Sequence, residues 1–310
     1  MQNRTKGRLA AVVAMAGLLL AAAIGFAEKS KGASDADDQA QQQKPNEAPR
    51  LDVAFAIDAT GSMQDEIDVI KKEVWSIANE IASGQPTPDV RFGLVFYRDR
   101  GDKYVVRKTE MTRNIDAIHE KLMAADAGGG GDHREHVIKA LDTALDLEWE
   151  SGDDVSRTLY LVGDAPAHTD YDEQVTLSSV LSEAKQRNIK VNTIGCSGIN
   201  SQNGKQQFAS ISKKTSGKYK ALTYHAVVKN EQGQETSVVY QDGKYYESDE
   251  KLSDEEWSRG ADKLLEGGKL EPAAGETARK AERSKDKKNN LDRVVEDEIK
   301  SSASDMGVAY

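Results

Sequence analysis

The chain has 310 residues, of which 38% are hydrophobic and 30% charged, and a formal net charge of −10. Such acidity speaks against nucleic acid and anionic lipid as partners, and suits cations and basic partners. A single cysteine, Cys196, excludes an intrachain disulfide, and the length allows one large domain or two smaller ones.

Arg4, Lys6 and Arg8 precede an apolar segment from Leu9 to Ala27, with Gly25-Phe26-Ala27 before Glu28. A basic start, an apolar middle and a small-residue junction predict a signal peptide over residues 1–27. The alternative is an uncleaved anchor, because the segment is nearly long enough to span a bilayer. No cysteine stands near the junction, so lipoprotein attachment there is excluded. Either way the body is expected outside the cytoplasmic membrane, as a periplasmic or extracellular protein of exported bacterial type. Cleavage would remove three basic and no acidic residues, moving the net charge from −10 to −13. Residues 28–50 are polar and lack aromatics, which predicts a flexible linker.

The stretch from Leu51 to Ile57 is apolar except for Asp52, as suits a strand buried on both faces of a parallel sheet. It stops at Asp58, and Ala59-Thr60-Gly61-Ser62 leads into a helix with Ile67, Ile70, Val74, Ile77 and Ile81 on one face. Gly84, Pro86 and Pro88 end that helix. Strands are predicted at Arg91–Tyr97, at 104–108 near an edge, at Arg157–Gly163 and at Ile189–Gly195. Helices are predicted around Ile115–Met123, after Asp132 through Leu145, around Leu177–Ala184, and around Phe208–Ile211. A loop with four glycines, Gly128 to Gly131, precedes Asp132. Alternating strands and helices over 51–225 predict a doubly wound α/β domain with a mostly parallel sheet flanked by helices.

After Tyr224 the pattern changes. Residues 226–270 read as a small extension, with a hairpin across Glu231–Gln234, a second turn at Asp242-Gly243, and a short acidic helix around Trp257. Residues 271–310 are dominated by charged and small residues and read as a disordered tail.

Asp58, Thr60 and Ser62 sit at the carboxyl end of a central strand, where open α/β sheets bind ligands. Asp132 and Asp164 would arrive at the same sheet edge from two other loops. Carboxylates, hydroxyls and water satisfy magnesium, which takes near-octahedral oxygen ligation, and manganese or calcium accept the same donors.

Asp58-x-Thr60-x-Ser62, the glycine-rich second loop and Asp164 after an apolar strand together resemble the von Willebrand factor A domain over residues 51–225. The five residues Asp58, Thr60, Ser62, Asp132 and Asp164 are similar to that family's metal-ion-dependent adhesion site. The resemblance implies a protein-binding module. Thr60 and Ser62 would coordinate the cation directly or nearly so, and Asp58 and Asp164 directly or through water. One position would remain for a carboxylate from the partner protein. Asp132 departs from the threonine that many members place there, and an extra carboxylate would weaken the pull on an acidic ligand.

Other readings are weaker. Asp58 also loosely resembles a haloacid-dehalogenase nucleophile, but the second acid that those phosphatases need is Thr60 here. Ser62 lacks a nucleophile-elbow sequence, and no Gly-Lys-Ser/Thr follows the glycines. The expectation is therefore not an enzyme. A structural subunit of an envelope complex, with a metal that only locks the sheet edge, is the alternative. His133 and His136 read as a solvated pair, His168 as a rim residue, and Cys196 as a packed thiol.

Overall fold

A computed structural model describes residues 48–131, 133–172, 174–230, 233–273 and 275–310. The expected signal or anchor segment, nearly all of the linker, and Asp132 lie outside the described residues. In chain order the first part comprises β1 (Arg50–Asp58), α1 (Gln64–Ala82), β2 (Asp89–Tyr97), β3 (Val106–Thr112), α2 (Ile115–Met123) and α3 (Val137–Leu145). It continues with β4 (Val155–Gly163), α4 (Leu177–Gln186), β5 (Ile189–Gly195), α5 (Gly204–Lys214) and β6 (Tyr219–Ala221). These strands form a six-stranded sheet in the order β3-β2-β1-β4-β5-β6. Every pairing is parallel except that of the edge strand β3 with β2. The predicted mostly parallel α/β sheet with β1 at its centre is therefore the observed one.

Alternation along β1 explains why both its faces are apolar. Ala54 and Ala56 point to a core shared with α3, α4 and α5. Val53, Phe55 and Ile57 point to the opposite core, with α1 and α2. The acidic interruption, Asp52, is buried and held by Arg91 through bonds of 2.8 and 2.6 Å and by the Glu150 backbone N–H.

The chain then builds β7 (Tyr224–Lys229), β8 (Glu235–Gln241), β9 (Lys244–Ser248), α6 (Asp254–Ser258) and α7 (Ala261–Glu266). It ends with β10 (Glu271–Pro272), α8 (Gly275–Glu282), β11 (Lys288–Asn289) and α9 (Leu291–Ser304). A second, five-stranded antiparallel sheet has the order β10-β9-β8-β7-β11. The expected acidic helix is split in two at Gly260, whose φ of 99° is one that L side chains rarely adopt.

The expectation of a disordered tail over 271–310 is corrected. Leu291, Val295 and Ile299 of α9 are buried in the core that holds Tyr160 and Val162 of the main sheet. Lys300 pairs with Glu80 and Glu296 on the outer side. Beyond the helix, Ala309 exchanges two backbone hydrogen bonds with Gln85, each 2.9 Å. The face covered by α1 and α2 is thus completed by a helix from the far end of the chain. Among the described residues no helix is long and apolar enough to cross a membrane.

Ile299→Ala is expected to lower the unfolding free energy by about 2–5 kcal/mol, the range for emptying a buried aliphatic site. Urea denaturation of the full-length chain measures this. An unchanged midpoint would show that α9 is not docked.

Candidate functional site

The carboxyl ends of β1 and β4 lie side by side, because the two strands pair in parallel. Asp58 closes β1, and Asp164 follows directly after β4. From Asp58 the chain turns through a short 3-10 segment, Gly61–Met63, into α1. That turn fixes the hydroxyls. Thr60 donates from its Oγ1 and its backbone N–H to the same Asp58 oxygen, at 2.7 and 2.9 Å. The Ser62 hydroxyl lies 3.4 Å from that of Thr60, and its pull on the Asp164 carboxyl opposes the effect of burial there. The second Asp58 oxygen, Oδ2, is buried with no hydrogen-bond partner among the described residues.

The glycine loop closes a third side. Gly128 N–H donates to the Ala59 carbonyl at 3.0 Å, and Gly61 N–H to that of Gly129 at 3.3 Å. Gly129 and Gly130 have φ of 80° and 84°, and the Asp102 carboxylate accepts from Gly130 N–H. A Cβ on Gly129 would stand 2.2 Å from that carboxylate, so the close approach requires glycine.

Asp58, Thr60, Ser62 and Asp164 lie together at the paired ends of β1 and β4. Asp132 lies outside the described residues. The loop contributes a residue that was not foreseen, Glu135. It is buried, its side chain and Thr60 both lie against Gly130, and its Oε2 has no partner among the described residues. Its backbone is fixed by N–H donation to Pro166 and acceptance from His168, which ties the second loop to the third. The available signal was an acid between two histidines ahead of an apolar helix face. Glu66, one turn after Ser62 on α1, is a second unforeseen buried acid.

His168 is buried and stacks on Tyr171 with ring centres 4.2 Å apart. Tyr171 donates to both oxygens of Asp99 at 2.7 and 2.8 Å, linking the β2–β3 loop to the loop after β4. His136 is buried edge-on against Tyr171 while His133 is exposed, so the two histidines are not a solvated pair. Cys196 is buried, as expected of a packed thiol.

The donors are carboxylate and hydroxyl oxygens, a set that suits a hard divalent cation. Among the described residues no three His, Cys, Asp or Glu side chains form a metal-holding group by themselves. A cation here would therefore depend on Thr60 and Ser62 as well. The orphaned oxygens of Asp58 and Glu135 fit that demand, since a buried polar atom without a partner is otherwise a net cost.

The sequence matches the von Willebrand factor A domain family over residues 52–234. Among curated proteins it is similar to the alpha-protein kinase vwkA of Dictyostelium discoideum. The identity is 27% over 123 residues, covering 39% of this chain and 19% of that protein. It is also similar to the von Willebrand factor A domain-containing protein 7 of Rattus norvegicus, 34% identical over 97 residues, covering 31% of this chain and 10% of that one. The chain thus matches only a small part of each relative's length. Among solved structures, the conserved hypothetical protein BatB from Bacteroides thetaiotaomicron aligns with a TM-score of 0.40 and 13% identity. That alignment covers 55% of this chain and 89% of BatB.

Burial, reinforced by the neighbouring acids, pushes the carboxyls of Asp58 and Glu135 up, and burial does the same for Asp164. Burial raises Glu66 to about 7, against the opposing hydrogen bond from Tyr224. A carboxyl raised in the folded state adds stability that is complete below its ordinary pKa and is lost as pH rises through the raised one. His225, lowered to about 4 by burial, acts oppositely, but its contribution is complete above its ordinary 6.5. In chelator, the full-length chain should therefore lose stability between about pH 6.5 and 8.5, and Glu66→Gln should lose less. Urea midpoints at the two pH values test this, and equal midpoints for the wild-type protein would contradict it.

Proposed function

The chain belongs to the von Willebrand factor A domain family, and we propose that it is a divalent-cation-dependent protein-binding module of an exported protein. The observation that carries this reading is the Asp58 carboxylate. One oxygen is satisfied twice by Thr60, and the other is buried without a partner among the described residues, at the sheet edge where Ser62, Asp164 and Glu135 converge. A cation of the magnesium class, with manganese and calcium as alternatives, would relieve the repulsion among these acids. Ser62 and the glycine loop from Gly129 to Gly131 are exposed, so a bound cation would be within reach of a partner.

The ligands would be Thr60 and Ser62 through their hydroxyls, with Asp58 and Asp164 direct or through water. Glu135 joins or replaces Asp132 as the donor from the second loop. The partner is a protein that brings a carboxylate to the open position. With more acids than the cation has charges, that attraction is weaker than at a site whose loop supplies a threonine. Binding rather than catalysis fits the residue set, because the position two after Asp58 holds Thr60 and offers no general acid. Export rests on the basic and apolar segment of residues 1–27, and periplasmic or extracellular placement follows from it.

Calorimetric titration of magnesium, manganese and calcium into the full-length chain, beside Asp58→Ala, tests the reading. Saturable binding lost in the variant is expected. A wild-type protein that binds none of the three ions would overturn it. Partner capture indifferent to chelator would instead assign the cation a structural role.

A further inference from the structure

The carboxyl-terminal region reaches the site through one side chain. Tyr224 is the first residue of β7, where it pairs with Tyr240 of β8 and Asn289 of β11. Its hydroxyl lies between α1 and the loop after β5. It donates to Glu66 Oε1 at 2.5 Å and accepts from the Ser197 N–H at 2.7 Å.

Both partners stand directly behind the site. Glu66 lies one helical turn after Ser62 on α1, and its other oxygen, Oε2, is buried with no partner among the described residues. Ser197 belongs to the loop after β5, which is locked to the end of β4 by Cys196 N–H donation to the Gly163 carbonyl at 2.9 Å. The next residue, Gly198, packs against Asp164 so closely that a Cβ there would meet its carbonyl at 3.2 Å and its Oδ2 at 3.5 Å. One hydroxyl therefore sets the separation between the helix start that presents Ser62 and the loop that backs Asp164.

Tyr224 is itself well fixed. Thr223 N–H donates to Asn290 Oδ1 at 2.9 Å, and Asn290 N–H returns a bond to the Thr223 carbonyl. Asn290 immediately precedes α9, which packs on the same side of the sheet as α1.

We infer that Tyr224 is a positioning residue for the cation site, acting through Glu66 and the Ser197 loop, so that the carboxyl-terminal region is a working part of the site and not an appendage. The inference rests on the cation-binding reading given above. Groups that orient ligands from behind typically change metal affinity by tenfold to a hundredfold when removed.

The test compares manganese affinity, by calorimetry, in the full-length wild type, Tyr224→Phe, Glu66→Gln and Val295→Ala. Val295→Ala loosens the packing of α9 without touching the Tyr224 hydroxyl, and so reports what destabilisation alone does. Tyr224→Phe and Glu66→Gln are each expected to weaken binding about tenfold or more, while Val295→Ala binds as the wild type does. Wild-type affinity in Tyr224→Phe would overturn the inference and leave the cation site standing. An equal loss in Val295→Ala would also overturn it, since the effect would then be one of general packing. Absence of binding in the wild type would remove the cation reading and the inference with it.

Discussion

Everything at the carboxyl edge of the main sheet is governed by the crowding of buried carboxylates. Asp58, Asp164 and Glu135 sit within one crevice and Glu66 lies directly behind it. Burial raises the affinity of all four for protons, and repulsion from neighbouring acids adds to it at Asp58, Glu66 and Glu135. Removing charged groups from water is unfavourable unless something neutralises them. Protonation at lower pH meets that demand, and under the proposed function a cation held where hydroxyls and carboxylates converge would meet it as well. The same constraint explains why the surrounding backbone is so closely tied. Gly128 bonds to Ala59 and Glu135 to Pro166, each tying one acidic loop to another, and Cys196 bonds to Gly163, tying the loop after β5 to the end of β4.

The fold supplies that edge through parallel pairing. Because β1 and β4 run the same way, their ends place Asp58 and Asp164 together without any special turn. Burying both faces of such a sheet requires helices on each side. One face has α3, α4 and α5, while the other has α1 and α2 and receives α9 from the end of the chain. The second sheet lies between these elements in sequence and presents Tyr224 to α1 on the way. Completion of the core and support of the site thus come from the same part of the chain.

Much of this was legible in the sequence, and the failures share a cause. The apolar runs at β1, β2, β4 and β5 have one dominant period and little competing signal, so strand identity and sheet class followed directly. Asp58, Thr60 and Ser62 lie within five residues, and Asp164 ends an apolar run, so local reading sufficed for them. Glu135 was missed because its role depends on where the glycine loop turns, which its neighbours do not encode. The tail was misread because composition outweighed pattern. Helix α9 is rich in Asp, Glu and Ser, yet Leu291, Val295 and Ile299 recur every fourth residue and make one narrow apolar stripe. A stripe that narrow is helical only when a partner surface covers it, and the partner is some two hundred residues away in sequence. Glu66 and Tyr224 were invisible for the same reason, since their bond joins positions 158 residues apart.

The proposed function has the buried acids of this edge hold a divalent cation together with Ser62 and Thr60. Crystals of the full-length chain grown with manganese, measured for anomalous scattering, test it most directly. One peak is expected in the crevice between the ends of β1 and β4, at roughly 2.1–2.3 Å from at least one hydroxyl oxygen and one carboxylate oxygen of the named residues. Saturating manganese with no peak in that crevice, or with peaks only at surface carboxylates, would contradict it.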